Sequence, residues 1–146
     1  MEIITTEYGY IEVGHHGDKF HYNNKDQRHN PNGPAIEYAD GHKEYWVNGK
    51  QHRTDGPAVE HADGHKEYWV NGVLHRTDGP AIEYISGSKE YFINGQRHRT
   101  DGPAYEWPDG DKLYFKHGKL HRTDGPAVIC DNFELHFING KYVWKK

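Results

Sequence analysis

The sequence holds one cysteine, Cys130, so no disulfide can close within the chain. Such usage suits a reducing compartment. No apolar window approaches ~18 residues, so no membrane span is expected. The opening residues, MEIITTEYGYIEV, carry no basic region and no apolar stretch of the kind a secretory signal needs. These absences point to the cytoplasm, of the protein's own cell or of a host. An excess of positive charge is missing too: the formal net charge is −4. Nucleic acid and acidic membranes favour a basic face, so neither is expected as a general partner. The local basic stretches are RHR at 97–99 and WKK at 144–146. Apolar residues make up 34%, too few for a large closed core. There is no nucleophile elbow, phosphate loop or metal motif. No catalytic residue, cofactor or metal ligand is assigned, and a non-enzymatic protein is expected.

What the chain does have is a repeat. The stretch HRTDGPA occurs at His52, His75, His98 and His121, and a weaker copy, HNPNGPA, at His29. The glycine of GPA falls at Gly33, Gly56, Gly79, Gly102 and Gly125, always 23 residues apart. The organisation read from this is one β-repeat domain over 1–146. Residues 1–32 form a degenerate N-terminal cap, 33–124 four repeats, and 125–146 a C-terminal repeat and cap. The last repeat is one residue shorter before its turn, CDNFELHFING.

Each repeat carries two hairpin signals, Asp63-Gly64 and Asn71-Gly72 in the copy 56–78. Both dipeptides tolerate the positive φ of a tight hairpin turn. A third, Asp78-Gly79, is followed by Pro80, which has no N–H to close a two-residue hairpin. TDGPA is therefore expected to bend a longer strand without reversing it. Two strands per repeat follow, and with them an all-β, elongated, single-layer antiparallel β-meander built from 23-residue two-strand repeats. Aromatic residues, 14% of the chain, would replace the missing core. Two-residue loops at both turns pair Glu60 with Glu67, Val59 with Tyr68, Ala58 with Trp69, Trp69 with Leu74, Tyr68 with His75 and Glu67 with Arg76. Arg76 would then bridge glutamates on neighbouring strands and His75 would pack on a tyrosine.

The runs KEYWVNGK at 43–50, KEYWVNGV at 66–73 and KEYFINGQ at 89–96 resemble the MORN repeat, in its bacterial and phage variant. The likeness covers about four units, from Pro34 to Lys141, and the HRTDGPA connector departs from standard MORN spacing. The resemblance implies an extended antiparallel sheet with a binding or scaffold role, and supplies no catalytic residue.

His, Arg and Asp in HRTDG could form a general acid–base set. A catalytic constellation is normally unique, however, and this one recurs in every copy. Asp-Gly turn chemistry explains the aspartate by itself. Equivalent histidines of successive copies should lie ~10 Å apart, too far to share a metal. GHHGD at 14–18 is the one local histidine cluster, and it lacks a partner motif.

Positions that differ between copies are the better guide to a site, because frame residues repeat while the rest are free to suit a partner. One such position holds Tyr38, His61, Tyr84, Trp107 and Cys130; another holds Gln51, Leu74, Arg97 and Leu120. The C-terminal edge adds Tyr142, Val143 and Trp144. The expected partner-binding set is Tyr84, Arg97, Trp107, Leu120, Tyr142 and Trp144, facing a protein partner or a second copy through a sheet edge or aromatic face. The HRTDGPA connector is similar to repeats of phage and large-virus proteins, and that resemblance implies a phage-encoded inhibitor of a host defence factor. The alternative is a small-molecule or nucleotide-binding, sequestering protein that uses Arg and aromatic residues.

Overall fold

The computed structural model describes residues 1–144. Lys145 and Lys146 of the C-terminal basic stretch lie outside the described residues. Among those residues there are strands, turns and bends but no helix, and so none long and apolar enough to cross a membrane. The protein is all-β. It divides into two compact units, Met1–Val73 and Leu74–Lys146.

In Met1–Val73 three five-residue strands, Glu2–Thr6, Gly9–Val13 and Lys19–Asn23, pair antiparallel in chain order. The meander continues through Ile36–Glu37, Lys43–Glu44, Val59–Glu60 and Lys66–Glu67. In Leu74–Lys146 the same pattern runs through Ile82–Glu83, Lys89–Glu90, Tyr105–Glu106, Lys112–Leu113, Val128–Cys130 and Phe133–Leu135. Both units are open antiparallel meanders. The repeat strands are shorter than a plain two-strand unit suggests. Each is interrupted at a tyrosine (Tyr45, Tyr91, Tyr114), beyond which a separate small hairpin forms. Examples are Trp46–Val47 with Lys50–Gln51, Phe92–Ile93 with Gln96–Arg97, and Phe115–Lys116 with Lys119–Leu120.

The Asn-Gly turns are two-residue turns with positive φ at both positions: Asn94 at 50° and Gly95 at 76°, for example. His117 takes the asparagine's place at 49°. The Asp-Gly turns differ from the expectation. His61 N–H donates to His65 O (2.9 Å), and Gly64 N–H to His61 O (2.9 Å). The loop is thus three residues, Ala62-Asp63-Gly64, with only the glycine at positive φ, 96°. Such loops place one left-handed residue after an ordinary turn. Val59 consequently faces Glu67, and Glu60 faces Lys66. The expected pairs Glu60–Glu67, Val59–Tyr68 and Ala58–Trp69 are off by one residue, and a one-residue slip moves side chains to the other face. The last repeat absorbs its missing residue in this loop. Cys130 pairs with Phe133 around Asp131-Asn132, and Val128 still faces Leu135 just as Tyr105 faces Leu113.

The buried apolar residues are small and regular. Ala35, Ala58, Ala81, Ala104 and Ala127, the last letter of each GPA, are all 0% exposed. Ile36, Val59, Ile82 and Val128, which follow them directly, are buried beside them.

Candidate functional site

TDGPA makes a bend between strands, as Pro80 and its equivalents dictate, and its residues act as connectors. Arg99 shows the pattern. Its Nε donates to Asp101 Oδ1 (2.9 Å), and its Nη1 to Pro103 O (3.3 Å) and Glu106 Oε1 (2.7 Å). Its guanidinium carbon sits 3.9 Å from the centre of the Tyr91 ring. Arg53 repeats this with Asp55, Pro57, Glu60 and Tyr45. The arginine thus holds the glutamate seven residues ahead, on the strand that follows its connector, rather than one on the preceding strand. It is also the arginine, in place of the expected histidine, that lies on the tyrosine. The Arg99 guanidinium in turn holds the Asp101 carboxyl below the usual range. The glycine makes room: a Cβ on Gly102 would lie 3.0 Å from the Arg99 guanidinium carbon. In the weak copy Asn30 stands in for the arginine and donates to Pro34 O (2.9 Å).

The histidine of each connector closes the next turn. Its Nδ1 accepts the backbone N–H of the first turn residue 18 or 19 positions on. His52 accepts from Asn71 (3.1 Å), His75 from Asn94 (3.1 Å), His98 from His117 (3.0 Å) and His121 from Asn139 (3.0 Å). An accepting Nδ1 must be unprotonated. Burial, then the nearby His117 and Lys116, lower the His98 pKa below its ordinary 6.5. A group with a lowered native value favours folding while neutral. Its contribution is present above pH 6.5 and lost as the pH falls through the native value. Wild-type melting temperature is therefore expected to drop between pH 7 and pH 5. His98→Ala should be less stable at pH 7 and show a shallower drop, as measured by thermal melts across that range.

With His, Arg, Asp and Gly all engaged in the frame, the positions that differ between copies stand out around the strand glutamates, an acid column of Glu44 and Glu67 in Met1–Val73 and Glu90 in Leu74–Lys146. In Met1–Val73, Glu44 accepts from Trp46 Nε1 (2.8 Å) and Gln51 Nε2 (3.3 Å), with His42 Nε2 at 3.0 Å. Glu67 accepts from Trp69 Nε1 (2.7 Å), with His65 Nε2 at 3.1 Å and His61 Nε2 at 3.5 Å. Burial pushes the Glu67 carboxyl up, but the bonds from Trp69, His65 and His61 outweigh it and hold it below the ordinary range.

In Leu74–Lys146 the equivalent Glu90 is 3% exposed. Tyr84 Oη donates to its Oε1 (2.7 Å), and Arg97 Nε to its Oε2 (2.7 Å). Burial and the Glu90 carboxylate push the Tyr84 phenol far up. The Arg97 guanidinium carbon lies within 6 Å of the Phe92, Tyr105 and Phe115 ring centres. Trp107 stacks on Tyr105 with centroids 3.6 Å apart. Tyr84, Arg97 and Trp107 of the expected set are thus gathered around Glu90 and Tyr105.

Leu120 pairs with Phe115 in the next hairpin, and Tyr142 with Phe137 in the one after. Tyr142 meets Trp144 edge-on at 4.9 Å, and Trp144 is 82% exposed. These C-terminal residues form a second, more open group. The sequence reading missed the acid column, because the assumed register split Val59 from Glu67. The signal that could have shown it is the glutamate two residues before each Trp or Phe at 46, 69 and 92.

No protein-family model matches this chain, and no curated protein matches it.

Proposed function

We propose that the protein is a non-catalytic, MORN-like β-repeat binding protein. It uses the Glu90 face and C-terminal edge of Leu74–Lys146 to hold a protein partner. One observation carries the reading: the residues that recur in every copy are engaged in the frame, while those that differ line one face. There the glutamate gives way to Leu113 and Leu135, Trp107 stacks on Tyr105, and Tyr142 meets Trp144 at the C-terminal edge. Aromatic and arginine anchors surrounded by apolar contacts are the usual composition of binding hot spots. The specific form favoured is a phage-encoded inhibitor of a host defence factor, acting in the cytoplasm. A second copy of the chain is the competing occupant of the same edge.

The test is a pull-down from host lysate with wild type and a Trp107→Ala/Trp144→Ala variant, the eluates read by native mass spectrometry. A discrete partner held by the wild type and released by the variant, with the variant's melting transition intact, is expected. A partner held equally by both would remove this site from the reading. A bound mass of a few hundred daltons in place of a protein would favour the sequestering alternative.

A further inference from the structure

Among the described residues, one group of metal-ligating side chains converges: His61, His65 and Glu67, whose ligand atoms all lie within 4.8 Å of one another. The three-residue loop sets this up. It places His61 opposite His65 across the hairpin, tied by the His61 N–H to His65 O bond, with the rings 4.7 Å apart. Glu67 follows two residues after His65 and so shares its face. Its Oε1 lies 3.1 Å from His65 Nε2 and 3.5 Å from His61 Nε2. Around a tetrahedral ion with ~2.1 Å bonds, neighbouring ligand atoms lie ~3.4 Å apart. The two observed spacings bracket that edge.

We propose that His61 Nε2, His65 Nε2 and Glu67 Oε1 bind a divalent transition ion of the zinc class. Two imidazoles select such an ion over magnesium or calcium, which take oxygen ligands. The other carboxylate oxygen, Oε2, is held by Trp69 Nε1 at 2.7 Å, a second bond that fixes the ligand's orientation. Beside the set, His61 lines an open cavity of ≈ 440 Å³ together with His42 and Glu44, among others. Water or a donor from outside can complete the shell.

Only this copy has the set. Tyr38 stands in the place of His61 beside His42 and Glu44, and Tyr84 and Ser88 replace both histidines beside Glu90. At this position the Tyr84 hydroxyl donates to Glu90. His61 removes that phenol and supplies a ligand nitrogen instead. The site lies in Met1–Val73 and does not depend on the partner-binding reading.

The test is a cobalt(II) titration of the untagged full chain followed by visible absorption, with zinc as competitor. One cobalt per chain, with the bands of a four- or five-coordinate site and displacement by zinc, is expected. His61→Tyr restores the side chain of the neighbouring copies, so it should fold as wild type yet bind at least about tenfold more weakly. His65→Ser should do the same, and His15→Ala/His16→Ala should change nothing. Absence of the bands at millimolar cobalt, or undiminished binding by His61→Tyr, would overturn the proposal.

Discussion

Replacing Arg99 with lysine is expected to destabilise the protein by about 2 kcal/mol, and with alanine by about 3, measured by urea unfolding. The planar guanidinium makes three hydrogen bonds, and its carbon sits 3.9 Å from the Tyr91 ring centre. Lysine can offer a charge to Asp101 or Glu106 but not the fork, nor the planar group over the ring. An exposed ion pair alone would contribute ~0–1 kcal/mol. The larger figure rests on Pro103 O, the half-buried Glu106 and the ring, which lose their partner together. If lysine restores wild-type stability, charge alone holds the connector and the planar clamp is not needed.

The second large effect concerns Glu90. Arg97→Leu is expected to cost about 3 kcal/mol, because it takes the guanidinium from a buried carboxylate and leaves it the Tyr84 hydroxyl. Arg97 itself is 41% exposed on its side chain and can turn to water. Glu90→Leu should therefore cost much less than Arg97→Leu, an inequality opposite to their order of burial. The double variant Glu90→Leu/Arg97→Leu copies the pair that the next repeat already uses, Leu113 and Leu120. It should return to within about 1 kcal/mol of wild type, since replacing a buried ion pair by packed apolar groups is often neutral. A double variant as unstable as Arg97→Leu would show that Glu90 has partners beyond Tyr84 and Arg97.

Much of this frame could be read from spacing and turn chemistry. The 23-residue period, the Asn-Gly hairpins and the bend at Asp-Gly-Pro follow from which residues accept positive φ and which lack an N–H. The Asp-Gly hairpins were the weak point. Asp-Gly fits a two-residue loop or the end of a three-residue one, and the local sequence does not separate the two. That one-residue ambiguity misassigned Val59 and Glu60 to faces, hid the acid column, and kept His61 and His65 apart. Histidine separations were weighed only between copies, whereas His61 and His65 face each other within one. The histidine's role was also out of reach from the motif alone. Its partner is a backbone N–H 18 or 19 residues away, invisible until the copies are stacked. The expected partner-binding residues were picked by what varies between copies. The structure gathers Tyr84, Arg97 and Trp107 around one carboxylate and leaves Tyr142 and Trp144 at an open edge.

The central claim is that HRTDGPA is a frame element in every copy and a reactive site in none. The most direct measurement is the unfolding free energy of four single variants, Arg53→Lys, Arg76→Lys, Arg99→Lys and Arg122→Lys. Arg53, Arg76 and Arg99 each reach a glutamate seven residues on, whereas that position after Arg122 is Ile129, leaving it Asp124, Pro126 O and the Tyr114 ring. The account predicts three similar losses and a smaller one for Arg122. Full stability in any one of the first three would mean that its arginine is retained for something other than the frame, and would contradict the claim.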